Sequence, residues 1–129
     1  MKALWDILAV GLGGAAGTLL RHGIELRAQA LSLSIPAVAG INILGAFMIG
    51  LWMTLLLERA HLSPRWRLLL TTGLLGGFTT FGTLMAEGGG LMRQGDVAGG
   101  LVLIGGEVLL GLLATLFGMS AARLLRRQA

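Results

Sequence analysis

Four apolar stretches, almost free of charge, govern what this chain can fold into. No charged residue falls between Ile7 and Leu20, between Ala28 and Leu57, or between Leu68 and Ala86. The stretch Val97 to Ala122 carries only Glu107. Each approaches or exceeds the ~20 residues that a helix needs to cross a hydrocarbon core of ~30 Å. Together they take up most of the 129 residues, and six acids with ten bases cannot clothe a soluble domain of that size. The expectation is an all-α integral membrane protein with a single domain of four transmembrane helices, at about 4–24, 33–57, 67–90 and 97–123. Pro36 is placed to open the second.

The charges that remain mark the ends of the spans. Lys2, Arg59, Arg65, Arg67, Arg123, Arg126 and Arg127 fall on the side of the N-terminus, second loop and C-terminus, against Arg21, Arg27 and Arg93 on the other. Positive residues are retained on the cytoplasmic face, so this moderate bias of seven to three favours both termini inside, in the cytoplasmic membrane. It also explains the net charge of +4 without a nucleic-acid partner, because bases at helix ends meet lipid headgroups. Trp5, Trp52 and Trp66 read as interfacial anchors, and His22 and His61 as helix-end residues in contact with water or headgroups. The stretches "RHGIELRAQ", "ERAHLSPRWR" and "GGGLMRQGD" read as the linkers. Lys2 and the apolar run after it have the look of a signal peptide. The glycine pattern and Arg21 argue instead for a segment that stays in the mature protein. The sequence offers no nucleophile with a base, no metal cluster and no phosphate loop, which argues against an enzyme.

Polar and helix-breaking residues inside the spans carry the functional information. "GLLGGFTTFGTLMAE" (Gly73 to Glu87) holds four glycines, three threonines and two phenylalanines. Each interior glycine costs a helix up to ~1 kcal/mol relative to alanine. Irregular backbone at membrane depth survives only when buried in protein or lining a polar cavity. A break at Gly76-Gly77 near the bilayer midplane would free carbonyl oxygens suited to a hard cation such as Na⁺. A tight helix crossing is the structural alternative. Asn42 places an amide in the second span, beside the small residues Ala39, Gly45 and Ala46. It can bond across a helix interface or donate to a passing anion. Glu107, eleventh in its run of 26, lies close to the midplane. An ionised carboxylate there costs roughly 2.5–3.5 kcal/mol unless it is neutralised, paired or hydrated. It shares a helix face with Gly100, Gly111, Ala114 and Gly118, so it points inward. A neutral carboxyl bonding across an interface and a proton-exchanging or cation-binding group beside a pore are the two readings. An ionised form would repel an anion.

"GGAAGTLLR" (Gly13 to Arg21), "GINILGAFMIG" (Gly40 to Gly50) and "TTGLLGGFTTFGTLMAE" (Thr71 to Glu87) together resemble the Fluc-type fluoride channels, or CrcB family, across all four spans. The resemblance implies a fluoride channel that exports F⁻ and is built as an antiparallel, dual-topology dimer with two pores. It implies a central structural Na⁺ held by carbonyls of Gly76 and Thr79. By the same resemblance, Asn42 and Phe81 are the pore asparagine and the first pore phenylalanine, with Thr80 and Thr83 along the ion path. Arg21 and Glu87 match residues near a pore mouth or vestibule. The family's second pore phenylalanine falls at Leu84, its intervening serine at Gly82, its hydroxyl before the asparagine at Val38-Ala39, and a fourth-helix hydroxyl at Gly111. The alternatives are proton-coupled transport through Glu107, or a pore-deficient subunit of a heterodimer with a related chain.

Overall fold

The computed structural model describes residues 1–58 and 63–127. Arg59 and His61 lie outside the described residues. Helix α1 runs Lys2–Ala30 and α2 Ser34–Glu58. Helix α3 is a composite of Pro64–Arg67, π-helical turns over Leu68–Leu75, and Gly76–Phe78. After a two-residue break, α4 covers Phe81–Arg93, and α5 covers Val97–Arg127. Counting Pro64–Arg93 as one interrupted span, four helices are long and apolar enough to cross a membrane.

The ends of these helices follow from local chemistry. Pro64 sits in the first turn of α3 behind Ser63, where its missing N–H costs nothing. Helix α4 closes on Gly95, whose φ of +94° is open to glycine without strain. Its N–H donates to the Met92 carbonyl and that of Asp96 to the Leu91 carbonyl, satisfying two terminal acceptors. Asp96 then caps α5, its Oδ1 accepting from Gly99 N at 2.8 Å.

Two of the three expected linkers are largely helical. "RHGIELRAQ" lies wholly inside α1, where the ion pair Arg21–Glu25 at 3.0 Å supports the continuing helix. Of "GGGLMRQGD", the residues Gly88 to Arg93 belong to α4, and only Gln94 to Asp96 form the turn. Charge marks where lipid ends, but a helix can project past that point into the headgroups.

The break, too, is displaced from its expected position. Gly76 and Gly77 are helical, whereas Thr79 (φ −78°, ψ 152°) and Thr80 (φ −144°, ψ 106°) are extended. β-Branched residues favour such conformations. The glycines serve packing instead. A Cβ on Gly13 or Gly17 would strike the carbonyl oxygens of Leu69 or Leu74, and one on Gly77 that of Gly14. Helices α1 and α3 therefore meet backbone to backbone, the arrangement small residues allow within lipid. Gly50 and Gly118 bring α2 and α5 equally close, against Thr115 and Phe47, and Gly88 and Gly100 join α4 to α5. The buried side chains include Val38, Ile41, Leu75, Phe78 and Leu84. Large apolar residues such as Leu12, Leu19, Val102 and Phe117 stay exposed on the outer faces.

Candidate functional site at the helix break

Ending a helix in the middle of an apolar span leaves backbone groups that water cannot satisfy. Asn42, reaching across from α2, resolves much of that problem. Its Oδ1 accepts from Thr80 N at 2.8 Å, and its Nδ2 donates to the Thr80 carbonyl at 3.2 Å. The Thr80 N–H fixes which end of the amide is oxygen. Nδ2 donates a second time, to Glu107 Oε2 at 2.8 Å. An asparagine amide has two N–H donors, so both are now used.

The hydroxyls of the break are organised as well. Thr80 is the N-cap of α4, its Oγ1 accepting from Thr83 N at 3.2 Å. The Thr80 and Thr83 hydroxyls bond to each other at 2.9 Å. Thr79 turns its hydroxyl back to the Leu75 carbonyl at 3.0 Å. On α1, Thr18 Oγ1 and Arg21 Nε both donate to the Gly77 carbonyl at 3.3 Å. Among the described residues, no side chain donates a hydrogen bond to the carbonyls of Gly76, Phe78 or Thr79. Carbonyl oxygens beside a helix break are neutral, hard donors of the kind a hard cation takes, and those of Gly76 and Thr79 flank this one.

A cavity of about 280 Å³ opens against this break, lined by Asn42, Thr79, Thr80, Phe81, Leu84, Glu107 and Thr115 among others. Asn42, Thr79, Thr80, Phe81, Leu84 and Glu107 of the expected site residues thus converge on one space. Phe81 is 67% exposed, whereas Leu84, one helical turn on, is only 3% exposed. Arg21, Gly76, Thr83 and Glu87 do not line it. Arg21 grips the break from α1 and ion-pairs Glu25, and His22 Nδ1 lies 3.9 Å from the same carboxylate. Glu87 on α4 has a buried Oε2 without a partner among the described residues, and stands within electrostatic reach of Glu107 and Glu25.

Three participants escaped the sequence reading. Thr18 shares a helix face with Arg21 three residues on, a spacing that could have paired them. Glu25 sits one turn beyond Arg21, inside the supposed linker. Thr115 supplies a hydroxyl one turn past Gly111, but it donates to the Ala46 and Gly111 carbonyls at 3.1 and 3.0 Å.

Comparison with known proteins bears on this arrangement. Residues 8–119 match the family model described as CrcB-like protein, Camphor Resistance (CrcB). A fluoride-specific ion channel FluC of Chlorobaculum tepidum is 42% identical over 120 residues, covering 92% of this chain and 95% of its own. Its counterpart in Chromobacterium violaceum is 40% identical over 126 residues, covering 96% and 100%. That of Thermus thermophilus is 44% identical over 113 residues, covering 86% and 88%. Four membrane-spanning helices, a clamped break in the third span and this breadth of similarity agree: the chain belongs to the CrcB family of multi-pass membrane proteins.

Proposed function

We propose that this protein is a fluoride-specific ion channel that exports F⁻ across the cytoplasmic membrane. The observation that carries the reading is the break at Thr79-Thr80, held by Asn42 beside the exposed Phe81 in an open cavity. The ring edge of Phe81 is electropositive and solvates a small anion without trapping it. The paired hydroxyls of Thr80 and Thr83 add a neutral donor along the same helix end. Conduction needs such weak, successive sites. A membrane potential negative inside drives the anion outward, by ~2.3 kcal/mol per charge for each 100 mV.

The working form is an antiparallel, dual-topology homodimer with two pores. The exposed apolar faces and the outward-facing Phe81 support a second copy as cover for part of this surface. A central structural Na⁺ would be held by the carbonyls of Gly76 and Thr79 from each copy. Its charge would join the two breaks and offset the negative ends of the carbonyl dipoles.

Purified protein in liposomes is expected to release trapped fluoride but not chloride. Fluoride release no faster than from empty vesicles overturns the reading. Phe81→Ile is expected to slow fluoride release by about tenfold, the equivalent of losing one favourable aromatic contact. Because Phe81 is 67% exposed within one chain, the packing of the protomer should hold, and elution of the variant on size exclusion reports whether the dimer is kept.

A further inference from the structure

Where the start of α1 meets the start of α3, the chain forms a polar cavity of about 330 Å³ lined by Lys2, Asp6, Ser63, Pro64 and Arg65. It shares no residue with the cavity at the break. Two apolar grooves adjoin it. One, of about 420 Å³, shares Asp6 with it and continues along Ile7, Val10, Gly11 and Leu68. The other, of about 300 Å³, shares Ser63 and Arg65 and continues along Ala9, Trp66 and Leu69. Both grooves are walled by α1 and α3 together, and both lead into the span from its charged end.

We propose that this is a site for one anionic phospholipid of the phosphatidylglycerol type, with its phosphodiester between Lys2 and Arg65 and one acyl chain in each groove. The proposal goes beyond the channel reading and does not depend on what the pore conducts. The surfaces follow the order of a lipid molecule, with charge and hydroxyl at the membrane surface and hydrocarbon beneath. Trp5 and Trp66, each 55% exposed, set this end at the level of the headgroups, where tryptophan concentrates. Bulk lipid covers any apolar face, but it has no use for a charged cavity at the head of two grooves.

Charge selects the headgroup. The lining holds two bases, Lys2 and Arg65, against one acid, Asp6, and a phosphodiester carries the single negative charge that balances them. Asp6 Oδ1 faces Arg65 Nε at 3.6 Å, so the carboxylate is engaged within the chain and does not stand open to the ammonium group of a zwitterionic lipid. That contact uses Nε, and the terminal nitrogens of the planar guanidinium suit a phosphate oxygen. Lys2 makes no ion pair among the described residues. Ser63 precedes α3 without a side-chain capping bond, which leaves its hydroxyl to meet the phosphate or the headgroup glycerol. In the larger groove, a Cβ on Gly11 would meet nothing within 4 Å, so the space there is open to a chain. A lipid seated in this way touches α1 and α3 at once. It extends toward the membrane surface the seam that Gly13 and Gly17 make deeper in the span.

The test is native mass spectrometry of the purified full chain in detergent. Phosphatidylglycerol, phosphatidylethanolamine and phosphatidylcholine with matched acyl chains are added in turn. Phosphatidylglycerol is expected to stay bound at one molecule per chain, at least about fivefold more tightly than either zwitterionic lipid. Lys2→Gln removes one charge at an exposed position and should weaken that binding by about fivefold, the worth of one basic side chain at an anionic surface. Gly11→Leu fills one groove without touching the charges and should lower retention as well. Glycerol 3-phosphate, which has the phosphate and no acyl chains, is expected not to displace the lipid. Equal retention of the three lipids, no retention of phosphatidylglycerol, or retention unchanged in either variant overturns the proposal. Displacement by glycerol 3-phosphate overturns it in favour of a soluble phosphate. Fluoride release plays no part in this readout, so the lipid site and the channel reading stand or fall separately.

Discussion

Asn42→Leu is expected to cut fluoride release by at least about a hundredfold, which corresponds to ~2.7 kcal/mol. The substitution removes both grips on the break at once. Thr80 N loses its acceptor at 2.8 Å and the Thr80 carbonyl its donor at 3.2 Å. Each buried backbone group left unsatisfied costs about 1–3 kcal/mol. Glu107 Oε2 loses its partner as well. The chain then either closes the gap by extending the helix through Thr79-Thr80 or lets the break collapse, and both outcomes remove the cavity. Asn42→Asp separates the roles. Its carboxylate can still accept from Thr80 N but cannot donate to the Thr80 carbonyl, and it sets a like charge against Glu107. It should fall nearly as far as leucine. Flux close to wild type in either variant, measured on protein of normal size-exclusion profile, would show that the amide does not hold the break.

Gly17→Ala is expected to destabilise the fold although it adds a single methyl group. The new Cβ would collide with the Leu74 carbonyl oxygen and come within 2.8 Å of Phe78 N. Both are backbone atoms, so no side chain can swing aside, and α1 must back away from α3 along its length. Overpacking of this kind costs about 1–3 kcal/mol. The Thr18 and Arg21 bonds to the Gly77 carbonyl would lengthen with it. Gly11→Ala is the control. It has no neighbour within 4 Å and should be neutral or stabilising by up to ~1 kcal/mol through helix propensity. The midpoint of thermal unfolding in detergent, followed by loss of the folded elution peak, should fall for Gly17→Ala and hold for Gly11→Ala. Equal midpoints would refute the close contact.

The presence of polar chemistry near the break in the third span was legible because it violates what lipid tolerates. An amide and a carboxylate in uncharged spans have to be satisfied by something, which singled out Asn42 and Glu107 before any coordinates, while Thr80 and Thr83 were singled out by the family resemblance. The partners were less legible. Nothing in "GINILGAF" says that Asn42 will take the N–H and carbonyl of Thr80 and still reach Glu107, 65 positions away. The break itself was misplaced by two to three residues, since glycine's low helix propensity was weighed above its use in close packing. Gly77 earns its position against Gly14, and the extended residues are the β-branched Thr79 and Thr80.

By itself the sequence determined the number of spans and the depth of the polar groups, because both follow from transfer between water and hydrocarbon, which acts on each segment alone. It determined that α1 and α3 must offer small residues, since glycine leaves its mark wherever it stands. Only the tertiary structure decided which glycines meet, where the helix gives way, and that Asn42 spends both its donors within the chain. Hydrogen bonds are short and directional, so their pairing depends on how helices distant in sequence are set against one another, and no local pattern encodes that.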